Sequence, residues 1–186
     1  MIVGSRVRLR PIERTDLPQF VAWLGDPAVH ASLALVAGLG LAQEERWFEA
    51  TLGLPAAEQP MAIEACDGES AWRLVGSIGT HGIDWRNRSS EVGLVVGDQA
   101  AWGRGLGTEA MRLLLGHLFS TLNLHRVWLR VFADNARAIR MYERLGFRLE
   151  GRQRDGDFRE GSYRDVLLYA VLAPEWFAAA APGGNP

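Results

Sequence analysis

The 186-residue chain contains no lysine; all 20 of its basic residues are arginine. A phosphate-loop nucleotidase would lack its phosphate-binding Lys, a kinase its strand Lys and a pyridoxal enzyme its Schiff-base Lys. Arginine stays protonated and does not replace lysine as a nucleophile. Cysteine is nearly as scarce: Cys66 is the only one, which excludes an internal disulfide and a multi-cysteine zinc site. No neighbouring residue in sequence activates its thiol, so it reads as a strand residue and not a covalent nucleophile. The four histidines are scattered without a His-Glu-x-x-His spacing, and no metal is expected. An excess of one charge is also missing. The net charge is −2, which argues against a nucleic-acid binder with a basic stripe. The longest apolar stretch, residues 31–42, falls short of the roughly 17–25 residues that a membrane helix needs. The first ten residues carry charge where a signal peptide has an apolar run. The expectation is a soluble, cytoplasmic protein.

Hydrophobic residues make up 48% of the chain, a globular composition. The reading is one domain over residues 1–177, with 178–186 as a flexible tail. Val7 and Leu9 alternate with arginines as a first strand. Thr15 reads as the cap of a helix through Leu17, Phe20, Val21 and Leu24, ended by Gly25. A second helix covers residues 43–52. Three strands follow at 61–66, 74–83 and 91–97, with residues 67–70 and 84–89 as turns. A helix opens at Leu106 and closes near Asn123. Residues 125–132 form a strand, Asn135 caps a helix that Gly146 ends, and two strands follow at 147–152 and 164–172. The order β-α-α-β-β-β-α-β-α-β-β makes an α/β (α+β) domain with a mixed sheet of about seven strands.

A strand that feeds a Gly-rich turn and then a helix suits a phosphate group. The first helical N–H groups lack intrahelical partners, and the helix dipole favours an anion there. Gly103, Gly105 and Gly107 let the backbone approach such a group closely, and Arg104 adds a positive charge. Gly105-Leu-Gly107-Thr-Glu-Ala110 also fits the dinucleotide fingerprint G-x-G-x-x-A, with Asp134 as the ribose acid. Against an NAD(P) enzyme, about a hundred residues precede the loop and only about 80 follow, too few for a second nucleotide-binding half.

Trp102-Gly-Arg-Gly105-Leu-Gly107 resembles the acyl-CoA loop Q/R-x-x-G-x-G/A of the GCN5-related N-acetyltransferases (GNAT), with Trp at the first position. Asn135-Ala-Arg-Ala-Ile-Arg-Met-Tyr142-Glu-Arg-Leu-Gly146-Phe147 resembles a second block of that family. Trp-Gly-x-Gly followed by Thr-Glu-Ala is similar to the ribosomal-protein N-terminal acetyltransferase branch (RimJ/RimL type). So are residues 122–127 and 161–165. The resemblance covers roughly residues 5–177.

The resemblance implies a mostly antiparallel sheet with flanking helices, splayed at the cofactor strand. It also implies an acetyl-CoA-dependent N-acetyltransferase that attacks directly in a ternary complex. Gly103, Arg104, Gly105, Leu106, Gly107 and Thr108 are the expected pyrophosphate site. Amides near Val95, Val96 and Gly97 would bind pantetheine and polarise the thioester carbonyl. Tyr142 is the candidate acid for the leaving thiolate, whose basicity is comparable to a phenol's. Asn135 would cap its helix and also touch the cofactor. The base is less well marked, because Arg130 stands where the ribosomal-alanine enzymes have a Glu. Glu91 is preferred, acting directly or through a water, with His81 and Asp84 next; His30 borders the expected acceptor region.

Asp155, Asp157 and Glu160 could rim an ammonium site, and Trp23, Trp47, Phe48 and Trp85 could line an aromatic pocket. Solvated loop charges explain the acidic residues equally well, and core packing is the default for each aromatic. The acceptor is a small-molecule or peptide amine, and a homodimer is the family-level expectation. The rival reading is a non-catalytic acyl-CoA-binding or regulatory module, motivated by Arg130.

Overall fold

The two-residue strand β1 (Ile2–Val3) pairs with β2 (Val7–Pro11), where Val7 and Leu9 are fully buried and Arg8 and Arg10 point the other way. The computed structural model describes residues 1–34, 38–66 and 71–180; the expected turn at 67–70 lies outside them. The chain continues through α1 (Leu17–Leu24), α2 (Pro27–His30), α3 (Leu41–Leu52), β3 (Met61–Ala65), β4 (Arg73–Asp84), β5 (Ser89–Val96) and α4 (Leu106–Ser120). It ends with β6 (Arg126–Phe132), α5 (Ala136–Arg144), β7 (Arg148–Arg159), β8 (Ser162–Leu172) and α6 (Ala173–Ala180).

One mostly antiparallel sheet carries eight strands in the order β1-β2-β3-β4-β5-β6-β8-β7, with helices flanking it. The expected seven strands become eight because of β1, which is too short to leave a periodic signal. β5 and β6 run parallel, with Ser89, Ser90 and Glu91 opposite Arg126, Val127 and Trp128.

The chain forms two compact units. The first comprises residues 1–80 and 93–114, the second residues 81–92 and 115–186. In the first, Ile12, Leu17, Phe20, Phe48 and Ala62 form a core cluster against which Trp23 and Leu74 pack. The helix at Leu17 starts differently from expectation. A 3-10 turn at Arg14–Asp16 precedes α1, and the Glu13 N–H donates to the Asp16 carboxylate at 2.8 Å, so Asp16 and not Thr15 organises the entry. Arg10 holds Asp16 bidentately at 2.7 and 2.8 Å and reaches Glu64 at 2.9 Å. Burial alone would raise both carboxyls, but the arginines outweigh it and keep Asp16 and Glu64 below the usual carboxylate range.

In the second unit, Leu115 and Leu118 of α4 and Val127, Leu129 and Val131 of β6 are buried. Asn123 lies just past α4 with φ +56°, the left-handed conformation that Asn tolerates at a helix exit. The β7–β8 hairpin is longer than expected. Its arms reach Arg159 and Ser162 and contain the polar stretch 153–159, which has no apolar alternation to mark it as strand. Helix α6 carries regular structure to Ala180, three residues into the segment read as a tail.

Candidate active site

In the first unit, β5 ends at Val96 and the chain enters the glycine turn. Asp98 accepts a hydrogen bond from Ala100 N–H at 2.9 Å and pairs with Arg73, which pins the approach. The Trp102 indole N–H donates to the Val96 carbonyl at 2.7 Å. This accounts for Trp at the first position of the loop motif, since the indole closes the turn back onto the strand. Gly103 and Gly105 have φ of +74° and +79°, values closed to most side chains. A Cβ on Gly103 would meet nothing within 4 Å, so the demand there is conformational and not steric.

Leu106 is 1% exposed and anchors the helix start in the core, leaving only its main chain for a ligand. The Glu109 N–H bonds the Gly105 carbonyl at 3.0 Å, which closes the first turn. The N–H groups of Leu106, Gly107 and Thr108 precede that bond and have no intrahelical acceptor. The turn is fixed from behind by residues that sequence reasoning missed. The Arg6 guanidinium donates to the Arg104 carbonyl at 3.2 Å and lies 3.5 Å from Glu109. Glu109 also accepts from Ser5 Oγ, Arg6 N and Val7 N at 3.0, 2.8 and 3.2 Å. Burial pushes the Glu109 carboxyl up, but these donors and the Arg6 charge hold it below the ordinary range.

Gly97 does not offer the donor expected of it. Its N–H bonds the Val75 carbonyl at 3.0 Å, which removes it from the expected donor set. Gly97 is required for another reason: a Cβ there would lie 2.2 Å from the Trp23 ring. Trp23 is thus a packing residue. Phe48 is core, and Trp47 and Trp85 are exposed.

In the second unit, Asn135 caps α5, its Oδ1 accepting from Ala138 N–H at 3.1 Å. Tyr142 on the same helix is 7% exposed, and its ring meets Phe147 edge-on at 5.6 Å. Burial pushes its phenol up to about 12. Burial thus makes it a weaker acid than the phenol expected to match the thiolate.

Glu91, near the start of β5, is held by Arg130, with Nε to Oε1 at 2.8 Å and Nη2 to Oε2 at 3.3 Å. Arg130, which stands where the resemblance implies a Glu, thus takes hold of the preferred base. Asp84 is committed to its own turn, accepting from Asn87 N and Nδ2 at 2.9 and 2.6 Å. His81 is exposed, and its carbonyl accepts from Ser90 Oγ at 3.3 Å. His30 ends α2 in the first unit.

Of the acidic rim, Asp157 is occupied. Asp157 bonds Arg164 Nε at 2.7 Å, and Asp155 and Glu160 take turn conformations with φ of +53° and +48°. Asp134, the candidate ribose acid, lies 3.6 Å from the same Arg164.

The family model described as Acetyltransferase (GNAT) domain matches residues 6–148. YdaF of Bacillus subtilis (strain 168), a proposed ribosomal N-acetyltransferase, is 35% identical over 103 residues. These are 55% of this chain and 56% of that protein, so the match spans about half the length of either. The spermidine N(1)-acetyltransferase of Escherichia coli (strain K12) is 29% identical over 181 residues, 92% of this chain and 89% of that one. The solved structure of spermidine N-acetyltransferase from Vibrio cholerae, in complex with CoA and spermine, superposes with a TM-score of 0.84. It is 24% identical and covers 94% of this chain and 99% of that chain, which is a likeness of fold.

Proposed function

Because the chain belongs to the acetyltransferase (GNAT) domain family and is an acetyl-CoA-dependent N-acetyltransferase, we propose that it acetylates a primary amine directly, in a ternary complex. The observation that carries this reading is the glycine turn. Two positive-φ glycines and three first-turn N–H groups form an anion cradle, and Arg6 and Glu109 hold it in place. These N–H groups, with the charge of Arg104, would hold the cofactor's diphosphate. The family assignment excludes the NAD(P) reading, and Asp134 beside Arg164 is consistent with that.

In the transfer step the amine lone pair attacks the thioester carbonyl carbon. The carbonyl π electrons move to oxygen, where the Val95 or Val96 N–H groups stabilise the oxyanion; such a donor is worth about 2.7–4 kcal/mol when water is excluded. Collapse breaks the C–S bond, and the sulfur leaves with the bonding pair. The proton lost by the amine nitrogen goes to Glu91, directly or through a water. Tyr142, held near 12, keeps its proton at neutral pH and acts as a hydrogen-bond donor to the departing sulfur. This replaces full proton transfer from phenol to thiolate, which burial of the phenol disfavours.

The acceptor is a small-molecule or peptide amine. Spermidine and a ribosomal acceptor, carried in the relatives' names, define the two ends of that range. No helix among the described residues is long and apolar enough to cross a membrane. We place the enzyme in the cytoplasm, as a homodimer that light scattering would detect. The whole reading is tested by melting shifts with CoA, NAD and NADP, followed by thiol release from acetyl-CoA across an amine panel. Stabilisation by CoA alone and turnover with at least one amine are expected. Stabilisation by NAD or NADP without CoA would overturn it.

A further inference from the structure

One face of β6 presents Arg126, Trp128 and Arg130, spaced two residues apart and therefore on the same side of the strand. Opposite them in the β8 register stand Leu172, Ala170 and Leu168. The small Ala170 facing Trp128 leaves room above the sheet. Here Arg126, Trp128, Arg130, Glu150, Gln153 and Leu168 line most of a cavity of about 420 Å³, wholly within the second unit. Glu150 in the lining and Glu91 beside Arg130 each already hold an arginine. Glu150 grips Arg126 through both oxygens, with Nη1 to Oε1 at 2.6 Å, and Glu91 grips Arg130.

The Arg130–Glu91 pair is lopsided. The Arg130 side chain is 57% exposed and that of Glu91 only 17%. Glu91 engages Nε and Nη2, and a guanidinium carries further N–H donors on Nη1. A second carboxylate arriving at this cavity therefore meets an accessible fork built for it. A polycation meets two guanidiniums and, among the described lining residues, no carboxylate without an arginine.

We propose that the acceptor is an amine with a carboxylate a few bonds from its nitrogen, either a free amino acid or a chain that begins with an acidic residue. Its carboxylate pairs with Arg130 and draws that guanidinium off Glu91, and the released Glu91 takes the amine proton. The substrate thereby frees its own base. This rests on Glu91 as proton acceptor in the proposed function, and it sets the substrate class apart from the polyamine of the E. coli relative. Arg130 is a specificity residue on this account.

The test is kcat/KM by thiol release with four acceptors: a tripeptide amide beginning with aspartate, its asparagine counterpart, free glutamate, and spermidine. The aspartate peptide should exceed the asparagine peptide by about tenfold or more, the scale of one charge-assisted hydrogen-bonded pair. Glutamate turning over at a comparable rate would identify the free amino acid as the source, and a much slower rate would identify the peptide. Arg130→Gln should abolish the preference, and Arg130→Glu should turn it towards spermidine. Both variants alter a largely exposed side chain, and a melting curve checks their fold. Equal rates for the two peptides, a preference of the unaltered enzyme for spermidine, or CoA binding without turnover of any of the four would overturn the proposal. Failure to bind CoA at all would instead overturn the underlying function.

Discussion

Arg6 and Glu109 stand 103 residues apart in the chain and form a single clamp on the glycine turn. Glu109 receives the Arg6 main-chain N–H at 2.8 Å, and the Arg6 side chain reaches over to the Arg104 carbonyl at 3.2 Å. The conformation of the turn therefore depends on the β1–β2 connection as much as on its own glycines.

Removing the carboxylate should loosen that turn. Glu109→Ala should raise KM for acetyl-CoA roughly tenfold while shifting acceptor KM far less, a split that initial-rate kinetics would resolve. Its stability cost should be about 1.5–3 kcal/mol, the range for charged hydrogen bonds, read from denaturant curves. Because the folded-state carboxyl lies below its ordinary value, this contribution is present above the unfolded pKa and fades as pH falls through the folded one. A uniform rise in both KM values would argue against a positioning role.

Tyr142→Phe deletes only the hydroxyl and keeps the ring contact with Phe147. Turnover should fall by about 10²-fold, with CoA affinity within a factor of about two. The variant also isolates the phenol's titration. Its folded value of about 12 lies above the unfolded value near ~10, so the stability it contributes is full below about pH 10 and is lost as pH rises towards 12. Denaturation curves of the two proteins should therefore converge across that window, and curves that run parallel would refute the assignment.

Glu44, on α3, is 4% exposed, and burial pushes its carboxyl above the ordinary range. Its contribution to stability is present below the unfolded pKa and is lost as pH rises through the folded one. Glu44→Gln should accordingly raise the melting temperature at pH 7 and change it little in mild acid. A lower melting temperature at pH 7 would show that the charge is useful.

Gly97→Ala should destabilise the first unit by about 1–3 kcal/mol, because the new methyl would sit 2.2 Å from the Trp23 ring. A shift in tryptophan emission should accompany the loss. Trp23→Ala in the same chain should recover part of it by making room. No recovery in the double variant would place the strain elsewhere.

Several elements were legible because their signals are local. Asn135 is followed at the third residue by the N–H it caps, and Asn123 tolerates the left-handed exit of α4. Alternation in β2 and β6 placed Val7, Leu9, Val127, Leu129 and Val131 inside. The β7–β8 hairpin was under-read because its far half is charged on both faces, so no hydrophobic period distinguishes strand from loop. Thr15 lost its role to Asp16, a choice that depended on Arg10 being held beside it.

The order of the elements other than β1, α2 and α6, the two motif blocks and the absence of lysine chemistry were properties of the sequence alone, since each depends on residue type or on neighbours a few positions away. Which donors stay open for a ligand was decided in three dimensions. Val75 consumes the Gly97 N–H, Trp102 binds Val96, and Arg130 holds Glu91 across 39 residues of chain. Hydrogen bonds and ion pairs form between whichever groups the strand register brings within about 3 Å, and spacing along a chain does not carry that distance.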